Sequence, residues 1–590
     1  PNPKPQTPNP HPLSKLFTSL SYSYSDKFNL RSRNEILNNV TTDNNFDIVI
    51  IGGGINGAGT LLSSSMNNLR SLLIEVNDFG SGTSSKSTKL LHGGLRYLEN
   101  FFKPSNDNRN EDLKLVFESL KERNILLNIA PYLNRQIGLM ISCQSIFEAL
   151  YYYSGCMFYH FLNCIGSMNY KNRVNRPIFI SRKQVNQRFP QMNNKYKWGV
   201  LMFDGQTNDS ALVTESIFTA VSKVGINGKF NSNALNYVSI QKFKFDKNNQ
   251  IEGLVLLDKI TQREFEVSCK VIISTAGVYN DIVKKEVTPN SMNNLCFSEG
   301  VHVGLESEDN FRWRYLDRID VGVLVPRTSD GRVMFFIPWE NGLIAGTTDK
   351  FIYDLKPRSI ETERVNEIYS CFSSYFPDSS NKITSVWSGV RPLIVPPYSD
   401  IRDLSTDSKS IKRSHSVQLE ENLNFISVNG GKLTIFRKMG EEAIGLALKL
   451  LQKGELSNTL TSNLIGTFPY TNIKQESITD NDSYVEYHYT QYKDNFKLLT
   501  RDVSLYLIRR YGYRSLVITD IINRQNNKAE ILLDNYPYTI AEVEFLCKYE
   551  MALFADDIIN YRLPIGRLNQ NDAHRIKNKI ETIINNISNL

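Results

Sequence analysis

The chain has little of what marks membrane-spanning, secreted or nucleic-acid-binding proteins. No run of about 18 or more uncharged apolar residues occurs, so no membrane-spanning helix is expected. The seven cysteines are scattered and form no Cys-x-x-Cys pair, which argues against a disulfide framework and against a zinc site. Acidic and basic residues are interspersed at a net charge of +7, so no basic stripe for nucleic acid is present. We therefore expect unpaired thiols, no metal site and no nucleic-acid partner.

The first 42 residues are predicted to form a flexible lead-in. The chain begins with Pro1 rather than Met, and residues 1–25 hold Lys4 and Lys15, several serines and no acidic residue. This composition is compatible with the remnant of a mitochondrial presequence, and a proline-rich disordered tail fits it equally well. Both alternatives stay open on the sequence alone.

The most informative stretch is a glycine-rich turn between two apolar runs. Residues 48–51 are apolar, and residues 52–57 read GGGING, which satisfies the pattern Gly-x-Gly-x-x-Gly. A helix-compatible stretch follows, and a second apolar run ends at Glu75, eighteen residues after Gly57. Such a turn brings a helix N-terminus to a pyrophosphate, and the acidic residue can bind a ribose hydroxyl. The pattern predicts a dinucleotide site, and a glycine turn in some other α/β protein is the alternative.

A second segment, residues 80–97, is rich in small hydroxyl side chains and glycine. Thr83, Ser84 and Ser85 come first, and the tight turn HGG at 92–94 leads to Arg96. Small hydroxyl residues followed by glycines suit close approach to a flat heterocycle and its ribityl chain. The segment therefore favours a buried flavin over a nicotinamide cofactor, with a serine-rich solvent loop as the alternative.

Two further strand signals are followed by glycine. Residues 271–274 precede Gly277, and residues 425–428 precede the sequence Gly430-Gly431-Lys432 and a helical pattern. Strand–glycine–helix units of this kind recur in doubly wound sheets, where the ligand lies at the carboxyl ends of the strands. They extend the predicted dinucleotide-binding fold across the chain.

The remaining segments have different sequence patterns. Asn341-Gly342 lies between two apolar runs, which predicts a β-hairpin within a largely antiparallel region over residues 291–385. After about residue 456, apolar residues recur at helical spacing, and Thr539 with Glu542 forms a candidate capping box. The predicted organisation is a lead-in (1–42), a Rossmann-like domain (43–110, 195–290 and 386–455), an inserted substrate domain (111–194 and 291–385) and a C-terminal helical domain (456–590).

Several stretches together resemble the FAD-dependent glycerol-3-phosphate dehydrogenases of the membrane-associated, quinone-linked kind. They occur in the family's order over most of residues 47–565. The matching stretches are DIVIIGGGINGAG (47–59), TSSKSTKLLHGGLRYLE (83–99), FDGQTNDSALV (203–213), FIPWENGLIAGTTD (336–349), WSGVRPL (387–393), SVNGGKLTIFRK (427–438) and YPYTIAEVEFLCKYEMALFADD (536–557). HGGLRY, SGVRPL and GGKLT together make the resemblance specific.

The resemblance implies an α/β fold with a Rossmann-like FAD-binding domain, an inserted antiparallel β substrate domain and a C-terminal helical domain. It implies oxidation of sn-glycerol 3-phosphate to dihydroxyacetone phosphate with FAD as cofactor and membrane quinone as acceptor. A peripheral position on the mitochondrial inner membrane is expected with it, and a homodimer is compatible with the sequence. No EF-hand loop follows Asp557, so the calcium-binding extension of some animal members is not expected here.

The resemblance also implies roles for individual residues. Arg96, Arg391 and Arg413 are candidates for the substrate phosphate, because the planar guanidinium matches phosphate oxygens. His302 is the candidate base, with His92 as a competitor and Arg391 as an alternative group that steadies the developing alkoxide. Lys432 is a candidate catalytic cation at a helix start. The predicted cofactor-binding residues are Gly52, Gly53, Gly54, Asn56, Gly57, Glu75, Thr83, Ser84, Ser85, Lys89, His92, Gly93, Gly94, Gly277, Gly431, Lys432, Leu433 and Thr434.

Other functions remain open on the sequence. An oxidase that passes electrons to oxygen would share these motifs, and a flavin-binding scaffold without turnover is a rival from another class. Residues 146–165 form an aromatic stretch interrupted by Glu148 and His160, which suits either a membrane interface or a buried core helix.

Overall fold

The computed structural model describes residues 24–94, 109–167, 174–306, 314–315, 319–328, 331–379, 381–395, 414–456, 463–469 and 481–588. Its strands are β1 (Asn45–Ile51), β2 (Ser71–Ile74), β3 (Leu90–Leu91), β4 (Arg135–Cys143), β5 (Ile178–Ile180), β6 (Trp198–Gln206), β7 (Ser232–Leu235), β8 (Val238–Phe245), β9 (Ile251–Asp258), β10 (Arg263–Ser274), β11 (Leu295–Leu305), β12 (Arg314–Tyr315), β13 (Ile319–Val325), β14 (Met334–Trp339), β15 (Gly342–Gly346), β16 (Lys350–Ile352), β17 (Ile383–Ile394), β18 (His415–Leu419) and β19 (Phe425–Gly430).

The α-helices lie between and after these strands and are named below by their bounds. They are Tyr24–Lys27, Arg33–Thr42, Ile55–Met66, Arg109–Ile129, Ile146–Gly166, Arg182–Arg188, Asp209–Val221, Asn280–Val287, Thr362–Tyr375, Phe436–Leu450, Asn481–Tyr492, Arg501–Tyr511, Ser515–Arg524, Ile540–Tyr549, Ala555–Asp557, Ile565–Leu568 and Gln570–Ser588.

The first sheet has the doubly wound arrangement that the glycine-bearing segments predict. Its strand order is β18-β19-β10-β1-β2-β7, and β1 pairs in parallel with both β2 and β10. β19 and β7 extend the parallel set, and β8 and β9 extend β10 as an antiparallel hairpin. The carboxyl ends of β1, β2, β10 and β19 therefore meet at one edge, where a ligand is expected.

The second sheet holds the predicted hairpin. Its strand order is β16-β11-β15-β14-β13-β4-β6-β3, and β17 pairs with β11. Trp339 pairs with Gly342, so the two-residue turn consists of Glu340 and Asn341 rather than of the Asn-Gly pair. Glu340 takes the positive φ of 51° that such a tight turn requires. The pairing is mostly antiparallel, as predicted, with a parallel contact between β4 and β13.

The domain boundaries differ from the predicted ones. β6 pairs with β4 along its length, and β17 pairs with β11 along its length, so both belong to the second sheet. The sequence analysis assigned residues 195–206 and 386–394 to the Rossmann-like domain. The local sequence does not show which distant strand a strand pairs with, because the strands of both sheets are equally apolar.

Part of the predicted flexible lead-in is folded. Ser32 and Glu35 form a capping box that opens the helix Arg33–Thr42, whose Ile36 and Val40 are buried. Arg31 donates to the carbonyl oxygens of Val221 and Ser232 at 2.7 and 2.8 Å. The prediction of flexibility is therefore wrong for residues 33–42, because an overlooked capping box and the buried Arg33–Asp258 ion pair order them. Residues 1–23 lie outside the described residues.

The C-terminal segment is helical, as predicted, and is tied to the first sheet through buried charges. Arg514 pairs with Glu215 and with Glu550, and Arg562 pairs with Asp78 at 2.7 Å. All of these side chains are almost fully buried. Thr539 caps the helix Ile540–Tyr549 by accepting from the Glu542 amide, and that helix ends before residue 560. Such buried pairs fix the C-terminal helices against the rest of the fold.

Candidate functional site

The glycine turn sits at the carboxyl edge of the first sheet. Gly52 has a φ of +105°, which only glycine adopts readily, and Gly57, in the first turn of the helix Ile55–Met66, packs against it. Glu75, at the end of β2, accepts from the Gly53 amide at 2.6 Å. Ser84 accepts from the Ile55 amide at 2.9 Å. The turn, the acidic residue and the hydroxyl segment therefore meet, as the sequence predicts.

The hydroxyl segment bridges the two sheets. Thr83 donates to the carbonyl oxygen of Val390 in β17 at 2.6 Å. Lys89 is buried and pairs with Asp209 at 2.6 Å, and its ammonium also donates to the Ser85 carbonyl oxygen at 2.7 Å. Lys89, which is predicted to bind the cofactor, therefore pairs its charge with Asp209 within the wall of the site. Its own contact with a cofactor remains a prediction.

The HGG and GGK segments, far apart in sequence, lie side by side. The His92 amide donates to Thr434 Oγ1 at 3.1 Å, and Lys432 Nζ lies 3.4 Å from the Gly93 carbonyl oxygen. The Gly93 amide donates to the hydroxyl of Tyr159 at 2.7 Å. Gly431 has a φ of +88°, which lets the chain turn from β19 toward the following helix. These contacts place both segments on the same wall.

A third glycine turn follows β10. Thr275 donates to the carbonyl oxygens of Ile51 and Gly52, both at 2.9 Å, and so locks the first glycine turn to the end of β10. Gly277 has a φ of +58°, and no atom lies within 4 Å of where a Cβ would project. Gly277 is among the predicted cofactor-binding residues, whereas no role is predicted for Thr275, whose hydroxyl contacts become visible only once β1 and β10 are paired.

The residues present fit a bound FAD. The helix N-terminus after Gly54 suits the pyrophosphate, and Glu75 lies where a ribose hydroxyl is expected. Among the described residues, no atom lies within 4 Å of a Cβ projected from Gly82 or Gly277, which leaves space beside both. The remaining predicted contacts, from Thr83 through Gly94 and from Gly431 through Thr434, lie on the walls described above.

His302 lies on β11, on the face of the second sheet that meets the hydroxyl segment. Its Nε2 lies 3.0 Å from Thr88 Oγ1, and its ring stacks on Trp387 at 5.5 Å with an interplanar angle of 7°. Only 2% of the residue is exposed. Burial, then the charges of Arg391, Lys89 and Arg567, hold the pKa of His302 well below its usual value. The imidazole is therefore neutral near pH 7.

Arg391 lies on β17 near His302, on the same sheet. It donates to Thr347 Oγ1 at 3.0 Å and to Ser298 Oγ at 3.3 Å, and it pairs with Asp349 at 3.4 Å. A Cβ on Gly300 would overlap the Arg391 guanidinium, so the absence of a side chain there makes room for it. Its side chain is 20% exposed, which leaves part of the guanidinium accessible to a ligand.

The structure brings together most of the predicted site residues and adds others. Arg96 and Arg413 lie outside the described residues, so their predicted roles remain predictions. Trp339 is buried in the hairpin, with Lys89 Nζ 5.0 Å from its ring centroid. The sequence analysis gave no role to Thr88 or Trp387, although both lie within stretches that carry the resemblance. The spacing of a cross-strand partner such as Trp387 depends on register, which the sequence does not reveal.

Comparison with known proteins agrees with this geometry. Residues 47–411 match the family of FAD-dependent oxidoreductases, and residues 459–589 match the C-terminal domain of alpha-glycerophosphate oxidase. A probable mitochondrial glycerol-3-phosphate dehydrogenase of Caenorhabditis elegans is 31% identical, over 93% of this chain and 71% of that protein. The mitochondrial glycerol-3-phosphate dehydrogenase of Saccharomyces cerevisiae is 30% identical, over 92% of this chain and 86% of that protein.

A solved structure agrees at the level of the fold. The glycerol-3-phosphate dehydrogenase of Bacillus halodurans, complexed with FAD, superimposes with a TM-score of 0.66 at 21% identity. The superposition covers 94% of this chain and 98% of that one. Together with the matched relatives, the glycine turns and the two-sheet arrangement, this leads to one conclusion. The chain belongs to the FAD-dependent glycerol-3-phosphate dehydrogenases, enzymes of the FAD-dependent oxidoreductase family.

Proposed function

We propose that this protein oxidises sn-glycerol 3-phosphate to dihydroxyacetone phosphate and passes the electrons to membrane quinone. The observation that carries the proposal is the placement of His302 and Arg391 on the face of the second sheet that meets the hydroxyl segment. His302 is buried and contacts Thr88, and Arg391 is held by Thr347. When bound, FAD supplies the two-electron acceptor that takes the hydride from carbon 2 of the substrate. The hydroxyl proton leaves to the protein, so two electrons and two protons are removed in all.

His302 is proposed to take the hydroxyl proton. Its neutral ring can accept a proton, and Thr88 holds the ring in a fixed orientation. In that role Thr88 accepts from Nε2, which leaves the Nδ1 lone pair for the substrate proton. Nδ1 is buried and has no hydrogen-bond partner among the residues that the structure describes, so none of these residues uses its lone pair.

Arg391 is proposed to bind the substrate phosphate or to steady the alkoxide as it forms. Thr347, Ser298 and Asp349 hold the guanidinium so that its donor fork needs little reorganisation on binding. Arg96 and Arg413 are proposed to add further cations for the dianionic phosphate. Lys432 and the helix start after it are proposed to stabilise negative charge near the flavin ring.

Replacing Arg391 by alanine should lower kcat/KM for sn-glycerol 3-phosphate by about 100-fold or more, since a charge-assisted contact to the reacting molecule is lost. FAD content should stay at one per chain. Steady-state kinetics with a soluble quinone analogue measures the effect. Arg358→Ala is the matched control, because Arg358 pairs with Asp354 on an exposed loop. Wild-type turnover by Arg391→Ala would show that this residue does not act in the site.

A second candidate function is a glycerol-3-phosphate oxidase. The match of residues 459–589 to the C-terminal domain of alpha-glycerophosphate oxidase favours it. The two functions differ in the acceptor, since an oxidase returns the electrons to oxygen. One hydrogen peroxide per substrate, formed in air without added quinone, would establish the oxidase. A flavin-binding scaffold without turnover would form no dihydroxyacetone phosphate with either acceptor.

We further propose a peripheral position on the mitochondrial inner membrane. Relatives in Caenorhabditis elegans and Saccharomyces cerevisiae carry mitochondrial names. Within the described ranges, no helix has both the length and the apolar content needed to cross a bilayer. The helix Ile146–Gly166 supports attachment from one side, because one face packs into the core while the other exposes large apolar side chains. The most exposed are Phe147 at 80%, Tyr151 at 61%, Phe161 at 57% and Leu150 at 51%.

Removing this exposed face should weaken membrane binding. The triple variant Phe147→Ser, Leu150→Ser and Phe161→Ser should bind anionic phospholipid vesicles at least about tenfold more weakly, because several kcal/mol of apolar burial are lost. Vesicle co-sedimentation measures the bound fraction. Ile226→Ser with Met292→Ser is the matched control, since these side chains are 90% and 84% exposed elsewhere. Unchanged vesicle binding together with a loss of dimers in solution would show instead that a second copy of the chain covers this face.

A further inference from the structure

The C-terminal domain reaches the sheet that carries His302 and Arg391. Ser385, in β17, donates to the carbonyl oxygen of Arg567 at 2.5 Å, and Thr384 donates to that of Leu568 at 2.6 Å. A Cβ on Gly304 would lie 2.8 Å from the Arg567 carbonyl oxygen, so the short helix Ile565–Leu568, called the C-terminal turn below, packs directly on the backbone of β11. These contacts fix the backbone of Arg567 against the two strands that form the site.

The Arg567 side chain continues toward His302 through Trp387. Its guanidinium carbon lies 5.8 Å from the centroid of the Trp387 ring, and Trp387 in turn stacks on His302. A guanidinium over an indole face is an attractive arrangement, and it restrains both groups. Nε of Arg567 is buried and has no hydrogen-bond partner in the described part of the chain. No acidic side chain among the described residues forms a salt bridge with it, so the Trp387 ring is its recorded side-chain contact.

The charged groups around His302 are mostly cations. Lys89 lies on the hydroxyl segment next to the neutral Thr88, Arg391 lies on β17, and Arg567 lies in the C-terminal turn. Asp209 is the acidic residue nearby, and Lys89 already pairs with it. Burial lowers the pKa of Arg567, and Arg567 also contributes to the lowered pKa of Lys86. The C-terminal turn thus adds a positive charge to a pocket that already repels a proton from His302.

We propose that Arg567 is a positioning residue for His302, through which the C-terminal domain becomes part of the active site. Its guanidinium holds the Trp387 and His302 rings in their stack and adds to the positive charge that opposes protonation of the imidazole. The proposal rests on the proposed role of His302 as the group that takes the substrate proton. It needs no contact between Arg567 and the substrate.

The test compares Arg567→Gln and Arg567→Lys in the full-length FAD-loaded protein. Removing a nearby cation should move the acidic limb of the kcat/KM–pH profile upward by about one pH unit, because protonation of His302 becomes easier. Arg567→Lys keeps the charge and should restore the limb to within about 0.3 pH unit. In a His302→Gln background, Arg567→Gln should lower kcat/KM by less than about twofold, since the residue it acts through is gone.

The outcomes separate this inference from the proposed function. Two results would overturn the positioning role alone. One is an unchanged acidic limb of the kcat/KM–pH profile in Arg567→Gln. The other is a fall in kcat/KM on adding Arg567→Gln to His302→Gln that is as large as the fall it causes in the wild-type protein. Wild-type turnover by His302→Gln would instead overturn the proposed role of His302. FAD absorbance and the thermal midpoint of each variant identify misfolding, and a well-folded Arg567→Lys keeps the test decisive if Arg567→Gln is unstable.

Discussion

Replacing His302 by glutamine should slow substrate-dependent flavin reduction by about 100- to 10,000-fold, because general-base assistance contributes that much to proton transfer. Glutamine keeps the approximate size of the side chain and its ability to contact Thr88, so FAD should remain bound. Stopped-flow absorbance under anaerobic conditions measures the reduction step directly. His574→Gln is the matched control, because His574 is exposed on the last helix.

The pH dependence follows from the same residue. The folded-state pKa of His302 lies well below its usual value because of burial and the neighbouring cations. The base is active when neutral, so kcat/KM should stay level through neutral pH and fall only as the pH drops through that lowered pKa. A fall that begins at or above the ordinary histidine pKa of about 6.5 would contradict the assignment. So would a His302→Gln protein that reduces its flavin at the wild-type rate.

Replacing Gly57 by alanine should abolish FAD binding. A Cβ at this position would overlap the Gly52 carbonyl oxygen and lie 2.8 Å from Thr275 Oγ1. Neither the turn nor the end of β10 can move away without opening the site, because Thr275 also bonds to Ile51. The purified variant should therefore be colourless, with less than about a tenth of the wild-type FAD content, since overpacking at a backbone contact costs several kcal/mol.

The control for Gly57→Ala is Gly445→Ala. Gly445 lies in the helix Phe436–Leu450, and no atom lies within 4 Å of its projected Cβ. Alanine there should raise helix stability by up to about 1 kcal/mol and leave FAD content unchanged. Absorbance near 450 nm relative to 280 nm gives the FAD content of both variants. A yellow Gly57→Ala protein with full FAD content would show that the glycine turn does not hold the cofactor as proposed.

The cofactor half of the site is largely predictable from the sequence because its signals are local. The turn at Gly52, the acidic residue Glu75 and the start of the helix at Ile55 lie within about one βαβ unit, and their spacing alone implies their contact. The resemblance adds the wall formed by His92 and Thr434, which are joined in the structure by a hydrogen bond. The hydrophobic periodicity of the sequence does not predict this contact, because more than 300 residues separate His92 from Thr434.

The substrate half depends on strand register and on packing between domains. Trp387 reaches His302 because β17 pairs with β11 in one particular register, and a shift of one residue would turn it to the other face. Arg567 lies in the short helix Ile565–Leu568 and resembles a surface arginine in sequence. Its role becomes visible only when Ser385 fixes that turn on β17. The same reason explains why the boundaries near β6 and β17 were misplaced.

The proposed function requires that a bound flavin accept electrons from sn-glycerol 3-phosphate at this site. Anaerobic titration of the FAD-loaded protein with that substrate tests it most directly, with absorbance recorded at each addition. The account predicts stepwise bleaching of the oxidised flavin, one dihydroxyacetone phosphate per flavin reduced, and recovery of absorbance on adding a soluble quinone without peroxide formation. A flavin that stays oxidised in the presence of excess sn-glycerol 3-phosphate would contradict it.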